Sequence, residues 1–304
     1  MVHSPDLPLK DVTMIRRAYA QTPSGQIHYY EGGRGRPVLM LHETPRSGWS
    51  YAPLIERLAA RFRCIAPDTL GFGLSDPLPA GARMEDLARS MFELMDELGI
   101  DAVDLIGFHT GNKIAAAMAA LCPERVGRTI LIGMTHSLVV SRKARNAAIM
   151  TVVRRHMGQY VEHEDGADQL RTWGADFGAI ASIWFNPAVM TATEIDTARL
   201  RGQEARTIEA IQCRHTIRPI YQMNFDFDFT ATLKRVKAPT LVIECTVPEE
   251  AHLGAQGPAM LELLDQGELL TLEHAGFDAT ETHADRIARS AAAFLRRGRR
   301  GETK

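Results

Sequence analysis

Long apolar runs are missing from this 304-residue chain, and no stretch approaches the length of a membrane span, so a membrane protein is not expected. Cysteine is scarce. The four present (Cys64, Cys122, Cys213 and Cys245) are scattered, with no pair at metal-ligand spacing. Cys64 and Cys245 lie in apolar strand-like runs, where a cysteine is usually a small core residue, so a reducing cytoplasm fits best and no metal is expected. Charge of one sign is lacking too. Lys and Arg total 35 against 37 Asp and Glu, and a formal net charge of -2 gives no reason to expect nucleic acid or an acidic membrane as partner. The one basic cluster, Arg296-Arg297-Gly298-Arg299-Arg300, reads as a solvated tail. The first residues, Met1 to Asp6, show no basic-then-apolar signal pattern, and no internal repeat is visible.

What is present is ordinary for a globular protein: 45% apolar and 24% charged residues, in a length that allows one large core or a core with an inserted lid. Strand-like runs alternate with helix-like ones. Gln26 to Tyr30, Pro37 to Leu41, Arg63 to Pro67, Val103 to Ile106 and Thr129 to Gly133 read as strands. Trp49 to Phe62, Met84 to Leu98 and Asn112 to Leu121 have helical spacing, the second with an acidic start and Gly99 at its end. From about His136 to Thr232 the pattern is helical, with no clear strand. Alternation then resumes with strand Thr240 to Glu244, a helix near Gly257 to Leu264, strand Glu268 to Leu272 and helix Asp285 to Leu295. Short apolar strands alternating with helices imply a parallel sheet covered on both faces. The helical insertion reads as a lid over the carboxyl ends of the strands, where open α/β sheets bind ligands.

Residues 103–114 carry the most information: Val-Asp-Leu-Ile-Gly-Phe-His-Thr-Gly-Asn-Lys-Ile. A short apolar strand, a Gly-x-His-x-Gly turn and an immediate helix have the grammar of the nucleophile elbow Gly-x-Ser-x-Gly, with His109 at the serine position. Gly107 and Gly111 are small where strand and helix pack closely. Other segments carry a matching signature. Leu41-His42-Glu43-Thr44-Pro45 resembles the His-Gly-x-Pro oxyanion loop of α/β hydrolases. Pro67-Asp68-Thr69-Leu70-Gly71-Phe72-Gly73-Leu74-Ser75-Asp76 is similar to the turn found in their haloalkane dehalogenase and epoxide hydrolase relatives. Cys122-Pro123-Glu124-Arg125-Val126 and Ala238-Pro239-Thr240-Leu241-Val242-Ile243 resemble segments that follow the elbow helix and precede the triad acid. The resemblance to the α/β-hydrolase superfamily covers nearly the whole chain outside the lid. It implies a mostly parallel eight-stranded sheet with helices on both faces and a helical cap inserted after strand six. The core would comprise residues 1–135 and 233–304, and the cap residues 136–232.

The pattern departs from the family at three places. The nucleophile slot is His109; the segment after the seventh strand, Cys245 to Glu250, has no aspartate where one is expected; and the triad histidine aligns with Phe277. Losing the hydroxyl nucleophile and its base typically costs about a million-fold in turnover, so conventional Ser-His-Asp ester hydrolysis is not expected. Without a carboxylate at the apex, dehalogenase and epoxide chemistry of the Asp type is not expected either. His109 at a helix N-terminus favours the neutral imidazole, available as base or nucleophile. Glu43, on the loop that faces the elbow in this family, is a candidate partner for that ring. The backbone N–H groups of Thr44 and Thr110 are the expected oxyanion donors. Arg46, His136, Trp184, Glu249 and Phe277 are the candidate substrate-binding residues, and His42 is assigned to support behind the loop.

The expected function is a non-standard enzyme acting on a small, mostly apolar carbonyl compound, with no cofactor and with homodimerisation left open. A ligand-binding protein that has lost the chemistry, a lyase and a cofactor-independent oxygenase are the alternatives.

Overall fold

A computed structural model describes residues 14–133, 205–206, 208–246, 256–276 and 278–297. Its sheet contains eight strands: β1 (Arg16–Thr22), β2 (Gly25–Gly32), β3 (Arg36–Leu41), β4 (Phe62–Pro67), β5 (Val103–Phe108), β6 (Val126–Ile132), β7 (Thr240–Thr246) and β8 (Gly267–Glu273). They lie in the order β1-β2-β4-β3-β5-β6-β7-β8. β1 and β2 pair antiparallel, as do β2 and β4, and every remaining pair is parallel. The helices are α1 (Ala52–Leu58), α2 (Met84–Glu97), α3 (Thr110–Leu121), α4 (Arg214–Asp226), α5 (Phe229–Leu233), α6 (Gly257–Leu261), α7 (Ala279–Thr282) and α8 (Ala284–Leu295). The fold is the α/β-hydrolase fold.

Alternation along the strands builds two separate apolar layers, because successive side chains point to opposite faces. Leu39, Leu41, Leu105, Leu131 and Val242 pack with Leu87, Met91, Ile114 and Met118 of α2 and α3. Val38, Met40, Ile106, Phe108, Ile132 and Ile243 pack on the other face with Leu54, Ile55 and Leu58 of α1 and with Ile287, Ala291 and Phe294 of α8. Both faces are therefore covered, which explains strands that read as continuous apolar runs.

Local chemistry sets the helix ends. Asp86 accepts a hydrogen bond from the Arg83 backbone N–H at 2.9 Å, and the first turn of α2 carries Glu85 and Asp86, favourable beside the positive helix end. Gly99 adopts φ 65 just beyond the helix, a conformation that costs glycine nothing. The turn after β4 is organised by Asp68, which is fully buried. Its carboxylate accepts from the backbone N–H of Gly48 at 2.8 Å and of Leu74 at 2.9 Å, and meets His28 Nδ1 at 2.8 Å.

Several elements differ from the sequence expectation. β1, Arg-Arg-Ala-Tyr-Ala-Gln-Thr, is an additional edge strand, mostly exposed and lacking an apolar face to announce it. The helix expected over Gly257 to Leu264 ends at Leu261, and the short α7 precedes α8. The chain leaves the sheet after β6 and re-enters it at β7. Within the span expected as cap, residues 208–212, α4 and most of α5 are helical, and residues 136–204 lie outside the described residues. Among the described residues no helix is long and apolar enough to cross a membrane.

Candidate active site

The turn between β5 and α3 forms because two glycines let three pieces of backbone approach. A Cβ on Gly107 would lie 2.5 Å from the Gly111 carbonyl oxygen, and one on Gly111 would lie 1.9 Å from the Leu41 carbonyl oxygen. No side chain fits at either place. Between them, His109 has φ 48 and ψ -103, a strained backbone for a residue with a Cβ. Asn112 clamps the turn to the end of β6. Its Nδ2 donates to the carbonyls of Ile132 (2.9 Å) and Gly133 (2.6 Å), while its Oδ1 accepts from the Ile132 N–H at 3.0 Å.

The His109 side chain is buried, 4% exposed, and its ring lies 4.3 Å from that of Phe108 between centroids, tilted by 54°. Its Nε2 lies beside Gly133, where an added Cβ would come within 3.1 Å. Burial pushes the imidazole down to about 3, and the Lys113 ammonium one helical turn away adds to the effect. The ring is therefore neutral across the ordinary pH range.

The loop after β3 brings the other candidates to this end of the sheet. The hydroxyls of Thr44 and Thr110 are 3.0 Å apart, so the two residues expected to supply oxyanion donors are neighbours. Among the described residues, neither of their backbone N–H groups donates to a protein acceptor. Asn224 of α4, 114 residues further on, donates from Nδ2 to Thr110 Oγ1 at 3.2 Å. It is 2% exposed.

Glu43 is buried but takes a different partner from the one expected. Its Oε2 accepts from Ser50 Oγ at 3.1 Å, its Oε1 faces Arg46 Nη1 at 3.8 Å, and no hydrogen bond or ion pair joins it to His109. The physical reason is Arg46, three residues along the same loop, which offers a charge where His109 offers a neutral ring. Burial raises the Glu43 carboxyl to about 7, against the opposing pull of Arg46. His42 Nε2 accepts from the Thr69 N–H at 3.1 Å, which places the proton on Nδ1 for donation to the Glu43 carbonyl at 2.8 Å. That histidine supports the loop from behind.

Arg46 is the centre of a buried ion cluster. Its Nε donates to Glu209 Oε2 at 2.5 Å and its Nη2 pairs with Glu281 at 3.0 Å. Ser47 Oγ donates to the other Glu209 oxygen, and Arg206 meets Glu281 at 3.0 Å. The guanidinium thus ties the loop after β3 to the helical stretch before α4 and to α7. His136, Trp184, Glu249 and Phe277 lie outside the described residues. His274 is exposed in the turn after β8, with φ 58. Among the described residues no group of three His, Cys, Asp or Glu side chains is placed to hold a metal ion. A groove at the amino ends of β6 to β8, lined by Pro123, Arg128, Lys237 and Glu268, sits at the opposite end of the strands from His109.

Sequence reasoning did not single out Asn224, Glu209, Asn112, Lys113 or Gly133. Asn112 follows the second elbow glycine directly and was open to recognition as a clamp. Asn224 and Glu209 act across more than 100 residues of chain and carry no local signal.

The fold and this elbow define the class: an α/β-hydrolase-fold protein whose strand-to-helix turn presents a histidine. A sequence model of the alpha/beta hydrolase fold matches residues 36–180. Haloalkane dehalogenase 2 of Mycobacterium tuberculosis is 40% identical over 112 residues, which make up 36% of this chain and 39% of that protein. The soluble epoxide hydrolase of Corynebacterium sp. is 32% identical over 127 residues, 42% of this chain and 44% of that protein. The matched stretch thus spans less than half the length of either relative. An epoxide hydrolase structure from Vigna radiata superimposes with a TM-score of 0.70 at 17% identity, covering 93% of this chain and 99% of that one, a likeness of fold.

Proposed function

We propose that the chain is an enzyme acting on a small, mostly apolar carbonyl compound, with His109 as base or nucleophile and the N–H groups of Thr44 and Thr110 receiving negative charge on oxygen. The observation that carries this reading is the strained apex itself: φ 48 and ψ -103 at a buried, neutral imidazole, beside two neighbouring threonines whose N–H groups have no protein acceptor among the described residues. Strain of this kind concentrates at functional sites.

Electrostatics narrow the step. An imidazole held near 3 by burial and Lys113 resists gaining charge by itself. It takes a proton, or attacks a carbonyl, only as negative charge forms nearby, and an oxyanion between the two N–H groups supplies that charge. Proton abstraction and acyl-imidazole formation both meet this condition, so hydrolysis and lyase chemistry are both accommodated. The relatives' names support hydrolysis as the default, although the apex carries no carboxylate. A binding protein without turnover is the second reading. It is favoured by one observation, that the Glu43 carboxylate serves Ser50 and Arg46 rather than the His109 ring.

The test is a panel of aryl esters, lactones and enolisable ketones with the wild type and His109→Ala. Removing a general base typically costs about 10²–10⁴-fold, so turnover by the wild type should fall by at least about a hundredfold in the variant. Equal trace activity in both proteins would refute the catalytic role, and tight binding without turnover would establish the second reading.

A further inference from the structure

The cap-side wall of the site carries a buried polar atom that finds no hydrogen-bond partner among the described residues, Oδ1 of Asn224. Asn224 projects from α4 among Ile220, Met223 and Phe227, all of them buried. Its Nδ2 is fixed on Thr110 Oγ1 at 3.2 Å, and that hydroxyl is 3.0 Å from Thr44 Oγ1. Its Oδ1 is buried and has no hydrogen-bond partner among the described residues. An amide oxygen and nitrogen share one carbon, so anchoring the nitrogen on Thr110 keeps the oxygen close to the same residue. Buried carbonyl oxygens are almost always paired, because an unpaired one keeps its desolvation penalty with nothing to offset it.

We propose that Asn224 is a substrate-reading residue, whose Oδ1 accepts a hydrogen bond from an O–H or N–H carried next to the substrate's carbonyl group. The inference rests on the reading that Thr44 and Thr110 hold a carbonyl oxygen. The N–H and the hydroxyl of Thr110 belong to one residue. A ligand whose oxygen sits on that N–H therefore meets the Asn224 amide with the carbonyl carbon's own substituent or the atom beyond it. The substrate class narrows to α-hydroxy carbonyls, enols and amides bearing an N–H, on an otherwise apolar frame. A site with a fixed acceptor rejects a partner that lacks the donor, because binding it leaves the acceptor buried and unpaired.

The experiment compares three ligands by calorimetry: phenacyl alcohol, with a hydroxyl beside the ketone; phenacyl fluoride, nearly the same size but without a donor; and ethylbenzene, without a carbonyl. Wild type should prefer the alcohol over the fluoride by at least about tenfold. Asn224→Leu should erase that preference, and Asn224→Asp, which retains an acceptor, should restore it. Equal binding of alcohol and fluoride by the wild type, or an undiminished preference in Asn224→Leu, overturns the role of Asn224 and leaves the carbonyl reading in place. Ketones that bind no better than ethylbenzene overturn the carbonyl reading and this proposal with it. Should Asn224→Leu fail to fold, the wild-type preference and the Asn224→Asp result decide the matter.

Discussion

Glu43 gives the sharpest quantitative expectation. Its side chain is 2% exposed, and burial lifts its carboxyl from an ordinary 4.5 to about 7. A carboxyl whose folded value lies above its unfolded value binds more protons in the native state. Stability from this group is therefore complete below the unfolded value, falls as pH rises through the interval, and levels off above the folded value. Integrating proton binding between those two values gives a loss of about 2.5 kcal/mol from about pH 5 to about pH 8. Glu43→Gln keeps the carbonyl acceptor for Ser50 and removes the titration. Urea unfolding of both proteins at the two pH values isolates this group, since the other titrations cancel in the double difference. The variant should gain about 2.5 kcal/mol relative to wild type on going from the acid to the alkaline condition. A double difference below about 0.5 kcal/mol, within the usual error of additivity, or one of opposite sign, would refute the claim that burial outweighs Arg46 and Ser50 at Glu43.

Three further outcomes follow from the geometry. With its folded value near 3 and an ordinary value of 6.5, His109 favours folding at neutral pH, and that contribution declines as pH falls from 6.5 towards 3. Carbon-detected NMR of its ring should show a neutral imidazole down to about pH 5, and titration near the ordinary histidine value would contradict the burial argument. Gly133→Ala places a Cβ 2.8 Å from the Phe108 ring and 3.1 Å from His109 Nε2, at φ +62. It should lose at least about 1–2 kcal/mol in thermal unfolding and shift the His109 ring resonances; an unaltered protein would show that the ring is not held there. Asp68→Asn turns an amide donor towards one of the donors on Gly48, Leu74 or His28. Its urea midpoint should drop by the equivalent of about 2–4 kcal/mol with an unchanged slope, and an unshifted midpoint would contradict the role given to Asp68.

What was legible in the sequence was what short-range chemistry writes into adjacent residues. β5, the elbow and α3 are contiguous, and the elbow glycines are demanded by backbone approaches of 1.9 and 2.5 Å, so this motif could be read directly. Strands buried on both faces advertise themselves as apolar runs. β1 does not, because the edge of the sheet leaves its arginines and Tyr19 in solvent. Thr44 and Thr110 are each expected as oxyanion donors by resemblance, and their hydroxyls lie 3.0 Å apart. The partner of Glu43 was not legible, since a short loop lets a carboxylate choose between a neutral ring and a guanidinium, and the folded loop settles on Arg46 and Ser50. Asn224 and Glu209 were invisible for a plainer reason: their contacts join segments far apart in the chain, and an asparagine or glutamate on a helix looks the same whether it faces water or a buried threonine.

The guanidinium of Arg46 has an implication for anyone wishing to re-engineer this protein. One cation anchors the loop after β3, the run-in to α4 and α7 together, so the segment carrying Glu209 cannot be exchanged as an independent module. A chimera that received a foreign segment lacking an acid in place of Glu209 would strand Arg46 against Glu43 and Glu281, and the fault would surface in the loop after β3 rather than in the transplanted part. Matching that single glutamate is the first requirement for any such graft.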